Sequence, residues 1–227
     1  MREINILGIS LRDYTLREKL SLADRYLKNG ALNTIECVSA KTLMAAGDDP
    51  QQRKWLEAMD MIVYGDVDIA CSAGITNRNR LKEIENNSFL KELLRRLARE
   101  KYPVYLLTDS EDAMQMLEND LARLQTALQI VGQYVFSPDE EAADALINEI
   151  NDKAPKVIIA LSAYPVQESF IFQNKSRLNA DIWLGLQKDS LVLGMEEKRI
   201  SVLLRKLQHK IFQRKVSRYE NQEKPEP

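Results

Sequence analysis

Histidine occurs once and cysteine twice in 227 residues. That removes the raw material for a His-rich metal centre and for most Ser-His or Cys-His catalysis, and no metal site is expected. Cys37 and Cys71 are too few and too poorly spaced for a disulfide framework or a Cys-based zinc site, which points to a reducing compartment. Glycine is scarce, with 8 residues, and no Gly-rich fingerprint of the dinucleotide or P-loop kind is present, so glycines give no argument for nucleotide binding and no resident cofactor is implied. No stretch approaches the ~18 consecutive apolar residues of a membrane-spanning helix, and Met1-Arg2-Glu3-Ile4-Asn5-Ile6-Leu7 lacks the form of a secretory signal. The expectation is a cytoplasmic protein.

What is present is an ordinary globular composition, 44% apolar and 29% charged, which excludes disorder, collagen and a membrane bundle. The length allows one large domain or two tightly joined lobes. The net charge is only −2, yet it is unevenly spread. Lys198, Arg199, Arg205, Lys206, Lys210, Arg214, Lys215 and Arg218 fall in one segment without an acidic residue, giving +8 there and leaving 24 basic against 34 acidic residues elsewhere. An acidic body therefore carries a basic tail. The tail lacks base-stacking aromatics, which argues against nucleic acid as a partner.

Short β-rich runs alternate with longer stretches of helical period, the pattern of an α/β fold with a mainly parallel sheet and helices on both faces. The strand positions are Ile4 to Ile9, Thr34 to Val38, Met61 to Tyr64, Val104 to Thr108, Leu128 to Phe136, Lys156 to Leu161, Ile182 to Leu186 and Leu191 to Leu193. Thr15 followed by Glu18 forms a capping box for a helix closed by Gly30. Ser88 to Lys101 and Ser110 to Leu128 give two more helices, and Ser137-Pro138-Asp139-Glu140 opens another that runs to about Asn151. An α/β body is expected over residues 1–197, with residues 198–227 as a basic, amphipathic helical appendage ending in a frayed polar tip.

Ligands of an open parallel sheet sit beyond the carboxyl ends of its strands. The loops there hold Ser39-Ala40-Lys41, Gly65-Asp66-Val67-Asp68, Thr108-Asp109-Ser110 and Ser162-Ala163-Tyr164-Pro165-Val166-Gln167-Glu168. Each also has a purely structural reading: Ser110 caps a helix, Gly65 makes a turn, Pro165 opens the next helix, Cys37 fills the core and Glu168 complements a helix dipole.

Several of these segments, in this order and spacing, resemble the bacterial WecG/TagA/CpsF glycosyltransferases. The resemblance rests on Ile4-Asn5-Ile6-Leu7-Gly8-Ile9, the stretch ending in Asp49-Pro50, Asp60-Met61-Ile62-Val63-Tyr64-Gly65-Asp66 and Leu106-Leu107-Thr108-Asp109. It continues through Ile130-Val131-Gly132, Phe136-Ser137-Pro138-Asp139-Glu140-Glu141 and Pro165-Val166-Gln167-Glu168-Ser169-Phe170-Ile171. It implies a Rossmann-like fold and transfer of a hexosyl group of N-acetylmannosamine type from a UDP-sugar to a polyprenyl-diphosphate-linked acceptor. The setting it implies is cell-surface polysaccharide or teichoic acid synthesis at the inner face of a bacterial membrane. The family's base, the Asp of Pro-Asp-Gly, falls on Gly65, so Asp66 is the implied base with Asp68 behind it. Substrate contacts are implied for Cys37, Ser39, Thr108, Asp109, Tyr164, Gln167 and Glu168. Lys198, Arg199, Arg205, Lys206 and Arg214 match the basic appendage and are implied to meet the membrane or the acceptor diphosphate. Ile200, Leu203, Leu204, Leu207 and Ile211 form an apolar stripe among these bases, suited to an anionic bilayer or to the protein body. Thr108-Asp109 replaces a Gly-Gly pair, and Gly185-Leu186-Gln187-Lys188-Asp189-Ser190 does not repeat the family's Gly-Gly-Ser/Thr-Phe-Asp. These departures leave open a second reading, a non-catalytic relative that binds a working paralogue, a lipid-linked glycan or the membrane. A homo-oligomer is also compatible.

Overall fold

The computed structural model describes residues 2–123, 127–136, 140–187 and 199–222, with side chains except at 140–142, 199–207 and 222. The first two strands, β1 (Arg2–Ile6) and β2 (Ile9–Asp13), pair antiparallel as a separate two-stranded sheet. The opening run expected as one strand from Ile4 to Ile9 is thus corrected to a hairpin. Leu7 and Gly8 break it, with φ of +57° and +77°, the left-handed pair that a two-residue hairpin turn requires. Alternation then turns Ile4, Ile6, Ile9 and Leu11 into one apolar cluster. A Cβ at Gly8 would also meet the Tyr219 hydroxyl at 2.5 Å and displace that side chain.

The remaining strands are β3 (Asn33–Val38), β4 (Met61–Tyr64), β5 (Pro103–Thr108), β6 (Gln129–Val135), β7 (Val157–Ser162) and β8 (Ile182–Gln187). They form one sheet in the order β4-β3-β8-β7-β5-β6, with every pairing parallel. The helices are α1 (Leu16–Tyr26), α2 (Ala40–Asp48), α3 (Pro50–Glu57), α4 (Val67–Ser72), α5 (Arg78–Glu85), α6 (Ser88–Arg99), α7 (Glu111–Arg123), α8 (Glu140–Lys153), α9 (Val166–Asn174) and α10 (Arg199–Gln222). The Thr15/Glu18 capping box is formed, while α1 ends at Tyr26 and Gly30 serves the following turn with φ +70°. The strand expected at Leu191 to Leu193, the helix start at Ser137-Pro138, Lys198 and the side chains of Arg199, Arg205 and Lys206 lie outside the described residues.

Strands buried on both faces read as continuous apolar runs, and β3, β4, β7 and β8 are buried at every position. One face takes Ile35, Cys37, Met61, Val63, Leu106, Ile159 and Leu184 against α1, α6 and α7. The opposite face carries two apolar clusters. Val38, Ile62 and Tyr64 pack with the hairpin, α2, α4 and α10, and Tyr105, Leu107, Ile158 and Trp183 pack with α8 and α9.

The second half of α10 docks on this second face against α2 and α4. Phe212 and Val216 are buried in the hairpin cluster with Tyr219 beside them. His209 Nδ1 lies 2.6 Å from Asp68 Oδ1, Gln213 Nε2 donates to Ser72 Oγ at 3.2 Å, and Lys215 Nζ donates to the Met44 carbonyl and pairs with Asp48. The outward side holds Lys210, Ile211, Arg214 and Arg218. No described helix is long and apolar enough to cross a membrane. Since Phe212 is fully buried, Phe212→Ala should destabilise the fold by about 3 kcal/mol, measured by denaturant unfolding, and should raise hydrogen exchange across α10.

Candidate active site at the carboxyl edge of the sheet

Ser39, Asp66 and Gln167 follow the carboxyl ends of parallel strands and Thr108 is the last residue of one, so all four lie along one edge of the sheet. The edge does not gather them into one pocket. Ser39 Oγ caps α2 by accepting from Thr42 N at 3.1 Å, and Asp66 Oδ2 accepts from Ala40 N at 2.6 Å. The α2 N-terminus is therefore occupied by the protein's own carboxylate. Asp109 Oδ2 accepts from Ala163 N at 2.7 Å, tying the β5 loop to the β7 loop. Tyr164 donates from its hydroxyl to the Gln52 carbonyl at 3.4 Å. Asp68 is engaged by His209. Thr108 donates to the Ser110 carbonyl at 3.0 Å and, with Ser162 and Gln167, lines a small cavity of about 10 Å³ against Phe136, Phe170 and Trp183.

A narrow cleft with a free volume of about 20 Å³ lies where β3, β4 and β8 end. Cys37, Val63, Tyr64, Gly65 and Leu186 form its sheet wall, and α1, α5 and the start of α6 close it with Lys19, Arg80, Glu83 and Asn87 to Leu90. Burial, with the neighbouring Glu36 as the next cause, pushes the Cys37 thiol up to about 12, so at neutral pH it is a thiol and no nucleophile. Arg80 donates to both Asp13 carboxylate oxygens, at 2.6 and 2.7 Å, and to the Tyr14 carbonyl at 2.9 Å.

Behind the same edge, on the other face of β3, is a polar centre that residue pattern alone does not reveal. Glu36, Glu168 and Gln167 are 0%, 0% and 2% exposed. Glu36 stands opposite Gly185 in register, and a Cβ there would fall 1.8 Å from Glu36 Oε2. Glycine is what lets the Glu36 side chain cross β8. Gln167 Nε2 and Gln187 Nε2 each donate to Glu36 Oε1 at 2.9 Å, and Gln187 Nε2 also donates to Glu168 Oε1 at 2.6 Å. Gln167 Oε1 accepts from Ser162 N and Oγ, both at 3.2 Å. The Gln167 carboxamide is thereby filled from both ends.

Gln187 Nε2 bridges the two glutamates, and Oε2 of each is buried without a hydrogen-bond partner. A proton held on either carboxyl removes the cost of burying a second charge there. Burial, then the charge of Glu168, holds Glu36 well above the ordinary carboxylate range. Burial pushes Glu168 up to about 7, against the opposing pull of its hydrogen bonds.

Among the described residues no three His, Cys, Asp or Glu side chains group as metal ligands. The family model for the glycosyl transferase WecG/TagA/CpsF family matches residues 4–219. A search of curated proteins found no match.

Raised carboxyl pKa values in the native state mean that it binds more protons than the unfolded chain, so stability is fully present below the unfolded value and falls as pH rises. The loss runs from 4.5 to about 7 for Glu168 and extends above the ordinary range for Glu36. Over this window one retained proton contributes a slope of about 1.4 kcal/mol per pH unit. Glu36→Gln keeps an acceptor for Gln167 and Gln187 and offers Glu168 an amide donor. Its unfolding free energy should lose Glu36's share of the slope, keep that of Glu168 up to about 7, and exceed the parent's above neutral pH, as read from denaturant titrations across the range.

Proposed function

Because the chain belongs to the WecG/TagA/CpsF family of glycosyltransferases, we propose that it transfers a hexosyl group of N-acetylmannosamine type from a UDP-sugar to a polyprenyl-diphosphate-linked acceptor. The observation that carries this reading is the cleft. It opens at the edge where open α/β sheets take ligands, and its wall holds Cys37, an implied substrate contact, and Gly65, the position on which the family's Asp falls.

Transfer needs a base for the acceptor hydroxyl while the bond from the anomeric carbon to the diphosphate breaks, and donors for the charge that develops on the diphosphate. We assign the base to Asp66, next to Gly65 in the loop. Asp68, two residues on, is committed to His209. Gln167 and Glu168 act as braces, since their polar atoms are turned into the buried centre. The exposed bases of α10, with Ile211 47% exposed among them, support peripheral attachment to an anionic membrane from the cytoplasmic side, where the lipid-linked acceptor would be met.

One observation favours a second reading, a non-catalytic relative that binds ligand or pairs with a working paralogue. The wall of the cleft offers Gly65 in place of the family's carboxylate, and Asp66 Oδ2 is held by Ala40 N. Turnover with UDP-N-acetylmannosamine and a short polyprenyl-diphosphate acceptor separates the two. The transferase reading expects product, and Asp66→Asn, whose carboxamide oxygen can still accept from Ala40 N, should lower the rate by ~10² to 10⁴-fold. A folded parent that binds UDP by calorimetry without turnover selects the second reading.

Membrane attachment has its own check. Near an anionic surface each base contributes about 1 kcal/mol. Reversing Lys210, Arg214 and Arg218 to Glu should therefore weaken co-sedimentation with phosphatidylserine-containing vesicles by about 100-fold or more at low salt. Binding by the parent should fall as salt rises. Binding indifferent to lipid charge and salt would remove the membrane role.

A further inference from the structure

The two outer strands of the sheet differ in how their free edges are treated. β4 is buried at every position, with β2 and α4 packed against it. β6 pairs with β5 on one side, and among the described residues no strand lies on the other. Phe136 N donates to the Thr108 carbonyl at 2.7 Å. Backbone groups alternate in direction along a strand, so Tyr134 and Gly132 also turn theirs to β5, while Gln133 and Val135 turn N–H and C=O outward. Among the described residues nothing takes those outward groups. Exposed edges are commonly guarded by charge or proline. Gln129-Ile130-Val131-Gly132-Gln133-Tyr134-Val135 has neither, in a chain that is 29% charged, and Ile130 is 44% exposed at the start of the same edge. The one irregularity is Val131, left without a partner where Val104 and Tyr105 pair with Ile130 and Gly132. It confines the regular ladder to Gly132 through Val135.

We propose that β6 pairs antiparallel with β6 of a second copy of this chain, across a two-fold axis at Tyr134, so that the two sheets join edge to edge. Such an axis sets Gln133 of one copy opposite Val135 of the other, and every outward N–H meets an outward C=O. The two Tyr134 residues then face each other as a non-hydrogen-bonded pair, the closer kind, where aromatic neighbours add stability. A second copy is the partner that fits, because the stretch supplies its own donors and acceptors in the right alternation and carries no charge to repel its image. The bulge keeps the ladder short, so the dimer is reversible and forms with rising concentration. The pairing uses no group of the carboxyl edge and does not depend on whether the chain transfers sugar.

Sedimentation velocity of the full chain over a concentration series reads the association directly, and a monomer-to-dimer shift is expected. Gln133→Pro removes one outward N–H and spares the bonds to β5, since proline is tolerated where the N–H of an edge strand faces outward. It should weaken the dimer about tenfold or more. Gln133→Lys is the second variant. The Gln133 side chain is exposed, so this change keeps the fold, and it places two like charges beside the axis, which should weaken the dimer as well. Hydrogen exchange gives a signature of the strand itself. The Gln133 and Val135 amides should gain protection only at concentrations where the dimer forms, while Gly132 and Tyr134 stay protected throughout. A chain that stays monomeric at every concentration would overturn the pairing. So would a dimer equally stable in both variants, or Gln133 and Val135 amides that exchange equally fast in monomer and dimer.

Discussion

Glu36 and Glu168 lie side by side out of solvent, and two carboxylates cannot both stay ionised there, because desolvation and mutual repulsion act in the same direction. Much of the surrounding sequence answers that constraint. Gly185 vacates the space that the Glu36 side chain needs above β8. Gln167 and Gln187 bring amide donors to the Glu36 oxygen, and Gln187 serves Glu168 as well. The carboxamide of Gln167 reaches on to Ser162 at the end of β7. One polar centre thus joins β3, β8, β7 and α9. It sits between the cluster under the hairpin, α2 and α10 and the cluster under α8 and α9.

The same centre stiffens the carboxyl edge. β3 turns Glu36 to one face and Cys37 to the other, so the strand that anchors the buried pair also forms the wall of the cleft. Neighbouring loops are fastened to one another by short bonds, Asp66 to Ala40 and Asp109 to Ala163. A rim braced in this way holds its geometry without a ligand, which is what preorganised binding requires. The cost falls on those side chains, whose hydrogen-bonding capacity goes to the protein.

The sheet was legible where strands are buried on both faces. Continuous apolar runs marked β4 at Met61–Tyr64 without error and β3, β5, β7 and β8 to within a residue or so, because periodicity and burial point the same way there. The hairpin was not legible. Ile4 to Ile9 is apolar at enough positions to pass for one strand, and the turn depends on Leu7 adopting a left-handed conformation that its residue type does not announce. Edge loops could be placed because a parallel sheet sends every strand's end to one side. Their side-chain partners could not, since Asp109 finds Ala163 across 54 residues of chain. Glu36 escaped notice for a physical reason. One charged residue within Thr34-Ile35-Glu36-Cys37-Val38 looks like an edge position, and only the pairing of β3 with β8 shows that glycine and glutamine are waiting for it. Lys19 is similar: in a solvent-facing helix it would be ordinary, and its burial follows from the way α1 packs against α6.

The basic tail and the cleft are connected by position. α10 packs on α2 and α4, and both of those helices begin at the carboxyl edge, α2 just after β3 and α4 just after the Gly65-Asp66 turn. His209 meets Asp68 in the first turn of α4, two residues beyond Asp66. Phe212 and Val216 hold the following turns against the body, which points Lys210, Arg214 and Arg218 outward. A charged surface drawn to those bases would therefore bear on the helix that anchors the Asp66 loop. The acidic remainder of the body would turn away from the same surface, so the uneven charge along the chain sets an orientation as well as an affinity.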